Sequence, residues 1–203
     1  MRQFGVALVW LWLLALAGCS HTPPPLSHLA QDDVVLAFGD SLTYGTGADT
    51  AHSYPAVLSQ LIGRPVVSAG VPGEETAAGM ARLPDELDKT QPKLLLLCLG
   101  GNDMLHKLAP ATIAANLREM VQMARQRGIA VVLIGVPEPK LFGGVPAFYA
   151  EIAKAANVPY EDEAFKKVLF DNSKKSDPVH PNAAGYRIVA EKIAALLHAA
   201  GAV

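Results

Sequence analysis

From Asp32 onward the chain alternates between short, nearly continuous apolar runs and longer stretches of helical periodicity. The apolar runs are Val34–Phe38, Pro65–Ala69, Leu94–Leu99 and Ala130–Gly135. A strand in a parallel sheet is covered on both faces, so it reads as an unbroken apolar run rather than an alternation. These four stretches are therefore predicted as buried strands, with Val158–Tyr160 as a fifth and less protected one. Between them, Ile113, Leu117, Met120, Val121 and Ala124 recur at three- and four-residue spacing, and Gly128 follows as a stop signal. Tyr54–Ile62 and Thr76–Leu87 read as shorter helices. Asn182 is placed to cap a last helix running to about Ala200, with Ile188, Val189, Ile193, Leu196 and Leu197 on its buried side and Gly201 beyond it. Strand alternating with helix predicts one layered α/β domain. No internal repeat, charge block or second-domain linker interrupts it.

The first residues break this pattern. Fourteen of the first 18 are hydrophobic, and the unbroken run Val6–Ala17 follows a single basic residue, Arg2. That run is 12 residues long, short of the ~20 a helix needs to cross a bilayer. A basic start, a short apolar middle and small residues before a cut site describe an export signal. It ends Leu16-Ala17-Gly18-Cys19, which resembles the lipobox of bacterial lipoproteins. The resemblance implies a signal peptide over 1–18, cleavage before Cys19 and lipidation of Cys19. Residues 19–31 then form a lipidated tether stiffened by Pro23-Pro24-Pro25, and the domain occupies 32–203. Two or more acyl chains anchor stably where one does not. Ser20 after the cysteine resembles the sorting pattern for the periplasmic face of the outer membrane of a Gram-negative bacterium. An ordinary signal would instead leave a soluble periplasmic protein.

Composition narrows the function. The 203 residues carry a formal net charge of −2 and are 51% hydrophobic and 18% charged. Nucleic-acid binders carry a basic excess, and disordered chains a larger charged fraction, so both classes are set aside. Two cysteines are too few for a disulfide framework or a four-cysteine zinc site. Cys98 lies in an apolar run and reads as a small core residue. His21, His28, His52, His106 and His198 form no ligand spacing, so neither a metal nor another cofactor is expected. Lys166-Lys167 and Lys174-Lys175 read as a solvated face.

Open α/β sheets place ligands at the carboxyl ends of their strands, beside the point where strand order reverses. The residues after the first three predicted strands are Gly39-Asp40-Ser41-Leu42, Gly70-Val71-Pro72-Gly73-Glu74 and Gly100-Gly101-Asn102-Asp103. Ser41 becomes a nucleophile only if a base takes its proton. Asp177-Pro178-Val179-His180 offers a base and an orienting carboxylate three residues apart in a turn stiffened by proline. The same residues also read as a polar loop before a helix cap. The Ser41 N–H, the Gly73 N–H and the Asn102 amide are candidate donors to a developing oxyanion. Gly73 and Asn102 equally serve as ordinary turn residues. Asp40 and Asp103 read as loop organisers.

Four blocks in this order, Gly39-Asp40-Ser41-Leu42, Gly73, Gly101-Asn102-Asp103 and Asp177-Pro178-Val179-His180, resemble the signature of the SGNH (GDSL) hydrolase superfamily. The similarity runs from about Val34 to Leu197. Ser-Tyr-Pro at 53–55, Ala-Arg-Leu-Pro at 81–84 and His-Pro-Asn at 180–182 are similar to the bacterial thioesterase I, lysophospholipase L1 and arylesterase group. The resemblance implies a three-layer α/β/α sandwich around a five-stranded parallel sheet of flavodoxin-like order. It implies Ser41, His180 and Asp177 as catalytic residues, and Ser41, Gly73 and Asn102 as the oxyanion hole. It further implies a mobile loop near Glu74–Gly79 and a crevice rim over Pro137–Tyr149. Glu74, Leu141, Phe142 and Phe148 are the candidate substrate contacts, with Val145 beside them.

The expected activity is hydrolysis of carboxylic esters, lysophospholipids or acyl thioesters through an acyl-enzyme. Small ester or lipid substrates are the expected partners, with the membrane reached through the anchor. An O-acetyl esterase acting on polysaccharide or peptidoglycan is an alternative within the same chemistry. A non-catalytic periplasmic binding lipoprotein is a third, and the intact set of Ser41, Asn102, Asp177 and His180 argues against it, because a binding module does not need all four. An α/β-hydrolase requires Gly-x-Ser-x-Gly, and Ser41 has Gly39 before it but Thr43 after it. A phosphate-binding flavodoxin-like or receiver-like domain would need a phosphate cradle or an acidic cluster that the sequence lacks.

Overall fold

A computed structural model describes residues 22–140 and 143–203. The expected signal peptide at 1–18, the expected lipidation at Cys19 and the expected rim residues Leu141 and Phe142 lie outside the described residues. In chain order the elements are β1 (Val35–Gly39), α1 (Ser41–Tyr44), α2 (Tyr54–Ile62), β2 (Val66–Gly70), α3 (Thr76–Thr90), β3 (Leu94–Cys98) and α4 (Gly101–Leu105). They continue with α5 (Pro110–Gln126), β4 (Ala130–Ile134), α6 (Ala147–Ala156), β5 (Tyr160–Glu161), α7 (Ala164–Leu169) and α8 (Ala183–Ala199).

The five strands are parallel in the order β2-β1-β3-β4-β5. Helices α2, α7 and α8 pack together on one face, and α3, α5 and α6 on the other. This is the three-layer, flavodoxin-like sandwich. The central strands β1 and β3 are buried along their whole length, as their unbroken apolar sequences require. Strand β2 departs from that expectation. It lies at the sheet edge, with Val67 and Ser68 exposed, because only one neighbour covers it. At the other edge β5 is reduced to two half-buried residues.

Helix α8 begins where expected: the Asn182 side chain accepts the Gly185 N–H at 3.1 Å. Val189, Ile193 and Leu197 are buried, but Ile188 and Leu196 are only half-buried. Tyr186 and Ala190 occupy the inner face in their stead.

The helix predicted from Thr76 is present, so the mobile loop implied near Glu74–Gly79 gives way to ordered structure there, and part of the implied rim is ordered as well. Thr76–Gly79 forms the first turn of α3, anchored where the Thr76 N–H donates to the buried Asp103 carboxylate at 2.9 Å. The rim stretch divides at Ala147, where α6 starts and carries Phe148 and Tyr149 into the core. The sequence placed Leu26–Leu29 in the tether, yet this stretch docks on the domain. The Leu26 and Leu29 N–H groups donate to the carbonyls of Ala200 and Ala202, both at 2.8 Å, and Leu29 is buried. Arg64 donates to the Leu29 carbonyl at 3.0 and 3.2 Å.

Strand register places the functional turns. Gly39, the last residue of β1, pairs with Gly70 of β2 on one side and Cys98 of β3 on the other. The three turns that follow therefore leave the sheet at one level, around the reversal between β1 and β3. Gly39 is required there. A Cβ would sit 2.2 Å from the Cys98 carbonyl oxygen and 2.3 Å from Thr43 Oγ1, because α1 folds directly back over the strand ends.

Candidate active site

Asp40 shapes the first turn. It caps α1, and its Oδ1 accepts the Leu42 N–H at 2.9 Å, so Ser41 is presented at the helix start. Ser41 Oγ lies 2.9 Å from His180 Nε2, and His180 Nδ1 lies 2.7 Å from Asp177 Oδ2. The other Asp177 oxygen accepts the N–H groups of Val179 and His180, each at 2.9 Å. Partial burial acts to raise the Asp177 pKa. The His180 side chain and these backbone donors outweigh it and hold the carboxyl below its ordinary value. An ionised carboxylate can only accept, so His180 carries its proton on Nδ1 and Nε2 is free to accept from Ser41.

The turn bearing Asp177 and His180 is clasped at its base. Ser176 N–H donates to the His180 carbonyl at 3.0 Å, and Lys175 bridges to Pro181. The Asn182 side chain donates to the carbonyls of Ser173 and Lys175 at 3.0 and 3.2 Å. One residue thus caps α8 and ties down the turn ahead of it.

Across the crevice, Val71–Glu74 forms a tight turn closed by the Glu74 N–H on the Val71 carbonyl at 3.1 Å. Gly73 holds φ +80, a left-handed conformation that a side chain would strain. Its N–H has no acceptor among the described residues. Asn102, in the first turn of α4, donates its amide to the Glu74 carbonyl at 2.9 Å and to Asp40 Oδ2 at 3.4 Å.

Ser41, Gly73, Asn102 and His180 line one crevice of about 730 Å³. Its walls include Leu42, Leu105, Val136, Pro137, Pro139, Leu169, Phe170, Pro178 and Val179, with Lys140 and Lys175 among the polar lining. Leu105 and Phe170 are left exposed. The arrangement can activate a hydroxyl, receive an anion on N–H donors and hold an apolar group. Among the described residues, no group of three His, Cys, Asp or Glu side chains is placed to hold a metal ion.

Two candidate substrate contacts lie elsewhere. Phe148 is buried on α6 against Tyr149, with ring centroids 4.6 Å apart, because that face of the helix covers the sheet. Glu74 turns its side chain away from the crevice, and Arg82 holds it by two 2.7 Å hydrogen bonds. Val145 packs against the end of β4, where a Cβ on Gly135 would meet its Cγ1 at 2.6 Å. Leu169, Phe170 and Arg82 carried no assignment from the sequence. Arg82 was legible only as part of Ala-Arg-Leu-Pro, whereas α7 is too short to show a period.

The sequence profile of the GDSL-like Lipase/Acylhydrolase family matches residues 37–188. Esterase TesA of Pseudomonas aeruginosa is 34% identical over 181 residues, covering 83% of this chain and 89% of that protein. The thioesterase 1/protease 1/lysophospholipase L1 of Escherichia coli is 29% identical over 176 residues, covering 81% and 83% respectively. The crystal structure of a TesA superposes with a TM-score of 0.73 at 29% identity, covering 81% of this chain and 98% of the other. With the serine, histidine and aspartate in contact at the sheet's reversal point, the chain belongs to the GDSL-like lipase/acylhydrolase family and is a serine ester hydrolase.

Proposed function

We propose that Ser41 is the nucleophile of an esterase that cleaves carboxylic esters of apolar acyl groups through an acyl-enzyme. The observation that carries this reading is the continuous chain from Ser41 Oγ through His180 to Asp177, at 2.9 and 2.7 Å, opening on an apolar crevice. Ser41 Oγ attacks the ester carbonyl while its proton passes to His180 Nε2. The resulting oxyanion accepts hydrogen bonds from the Ser41 and Gly73 N–H groups and the Asn102 amide. His180 returns the proton to the leaving alkoxide or thiolate, and the acyl group stays on Ser41. A water that loses its proton to His180 then releases the acid and restores the serine.

The apolar walls and the exposed Phe170 favour aryl, alkyl and lysophospholipid esters over a bare acetyl group on a polysaccharide. Relatives named esterase, lysophospholipase and arylesterase support the same choice. The test is a series of p-nitrophenyl esters from acetyl to palmitoyl, run with wild type and Ser41→Ala. Turnover should peak beyond acetyl and fall by several powers of ten in the variant. Full activity in Ser41→Ala defeats the mechanism, and activity confined to acetyl would favour the O-acetyl esterase.

The export reading completes the proposal. Lipidation at Cys19 anchors the domain through a short tether that ends at the Leu26 dock. This dock lies beside the start of β1 and the C-termini of α2 and α8, at the pole opposite the crevice. The active site then faces away from the anchoring membrane. Cells fed labelled palmitate should mark the wild type and leave Cys19→Ser unmarked.

A further inference from the structure

Behind the crevice, Glu74 and Arg82 form an ion pair that the catalytic steps do not use. The Glu74 side chain is 5% exposed and that of Arg82 is 24% exposed. Arg82 Nε and Nη2 reach the two Glu74 oxygens, both at 2.7 Å. Nη2 also donates to the Ala69 carbonyl on β2 at 2.7 Å and approaches the Gly39 carbonyl on β1 at 3.5 Å. The guanidinium carbon lies 4.0 Å above the Phe38 ring. Only a planar, forked cation can make these contacts together, so a lysine is not an equivalent. Arg82 therefore fastens the Val71–Glu74 turn to the ends of two strands.

Two of the oxyanion donors converge on this one residue. The Gly73 N–H belongs to the turn that Glu74 closes, and the Asn102 amide is held by the Glu74 carbonyl at 2.9 Å. We infer that the Glu74–Arg82 pair is the positioning device of the oxyanion site, setting where the Gly73 and Asn102 donors stand when charge develops on the substrate. This rests on the esterase reading above. Because the donors matter most in the transition state, loosening them lowers kcat and leaves KM nearly unchanged.

The test measures kcat and KM for Glu74→Gln and Arg82→Lys, each alone and combined with Asn102→Ala, on a p-nitrophenyl ester at a temperature where melting curves show every variant folded. Each single variant should lose about tenfold to a hundredfold in kcat, with KM within about twofold. In the Asn102→Ala background the same substitutions should cost less, because one of the two donors they hold is already gone and only the Gly73 N–H is left to displace. A substitution that merely weakened the fold would give the same loss in both backgrounds. Unchanged kcat, a loss confined to KM, or equal losses in both backgrounds would overturn the inference. If Glu74→Gln does not fold, Arg82→Lys decides, since it keeps the buried charge pair and alters only the fork. A Ser41→Ala control separates the two failures. Activity in that control removes the esterase reading itself, whereas an inactive control beside a fully active Glu74→Gln removes only the positioning role.

Discussion

Asp177 and Asp40 are the same residue type on opposite sides of Ser41, and their surroundings drive them in opposite directions. The Asp177 side chain is 43% exposed and meets the His180 ring and two backbone N–H groups, which keep it ionised. Asp40 is 1% exposed, and burial pushes its pKa up to about 7, with the neighbouring Asp103 and Glu74 charges adding to the rise. The exposed carboxylate can orient a histidine because solvent and donors hold its charge. The buried one shapes the turn that presents the serine, and its surroundings resist a charge there. Chemistry is placed at the wet rim of the crevice, and geometry is maintained in the dry layer beneath.

The contrast breaks most sharply at Asp177. Asp177→Asn should keep the fold but favour the wrong histidine tautomer, lowering kcat on the order of 10⁴-fold, as steady-state kinetics would record. A variant with near wild-type kcat would show that His180 needs no ionised partner.

Asp40 sharpens the comparison through stability. Its folded pKa of about 7 lies above the unfolded value of 3.8, so the native state binds the extra proton between those limits. This group's contribution is present below pH 3.8 and is lost as pH rises toward 7, on the order of a few kcal/mol. Asp177 acts with the opposite sign: its contribution is present above the unfolded pKa and is lost as pH falls through its lower folded value. Urea melts of wild type should therefore show a decline in stability from about pH 4 to 7 that Asp40→Asn lacks. Parallel pH profiles for the two proteins would refute the assignment.

The smallest expected effect concerns another buried carboxylate, Asp103. Asp103 takes both the N–H and the hydroxyl of Thr76, and Thr76→Val removes one of these donors while preserving shape. Stability should fall by about 1–3 kcal/mol in denaturant melts, with KM little changed. A large KM effect would mean that the start of α3 takes part in substrate binding.

Much of this molecule is legible in the chain. Both central strands read as unbroken apolar runs because both faces are covered, and the Asn182 cap was visible beside the periodicity of α8. The blocks carrying Ser41, Gly73 and Asn102 stand out because their turns follow strand ends, and the Asp177–His180 block because it leads into the Asn182 cap. The misses have physical causes. Short helices such as α1, α4 and α7 are too brief to show a period. The resemblance places Phe148 on the rim, and the sequence around it gives no sign of which side of a helix it will occupy; α6 turns it into the core.

The sequence by itself determined the alternation of elements, the family blocks and the identities of Ser41, Asp177 and His180. These are local properties: periodicity, capping and the chemistry of a turn depend on neighbours along the chain. Only the tertiary structure decided that Ser41 and His180, 139 residues apart, meet at 2.9 Å. It also decided that Glu74 turns inward to Arg82, and that Leu169 and Phe170 wall the crevice. Such contacts follow from strand register and helix packing, which no short window of sequence contains.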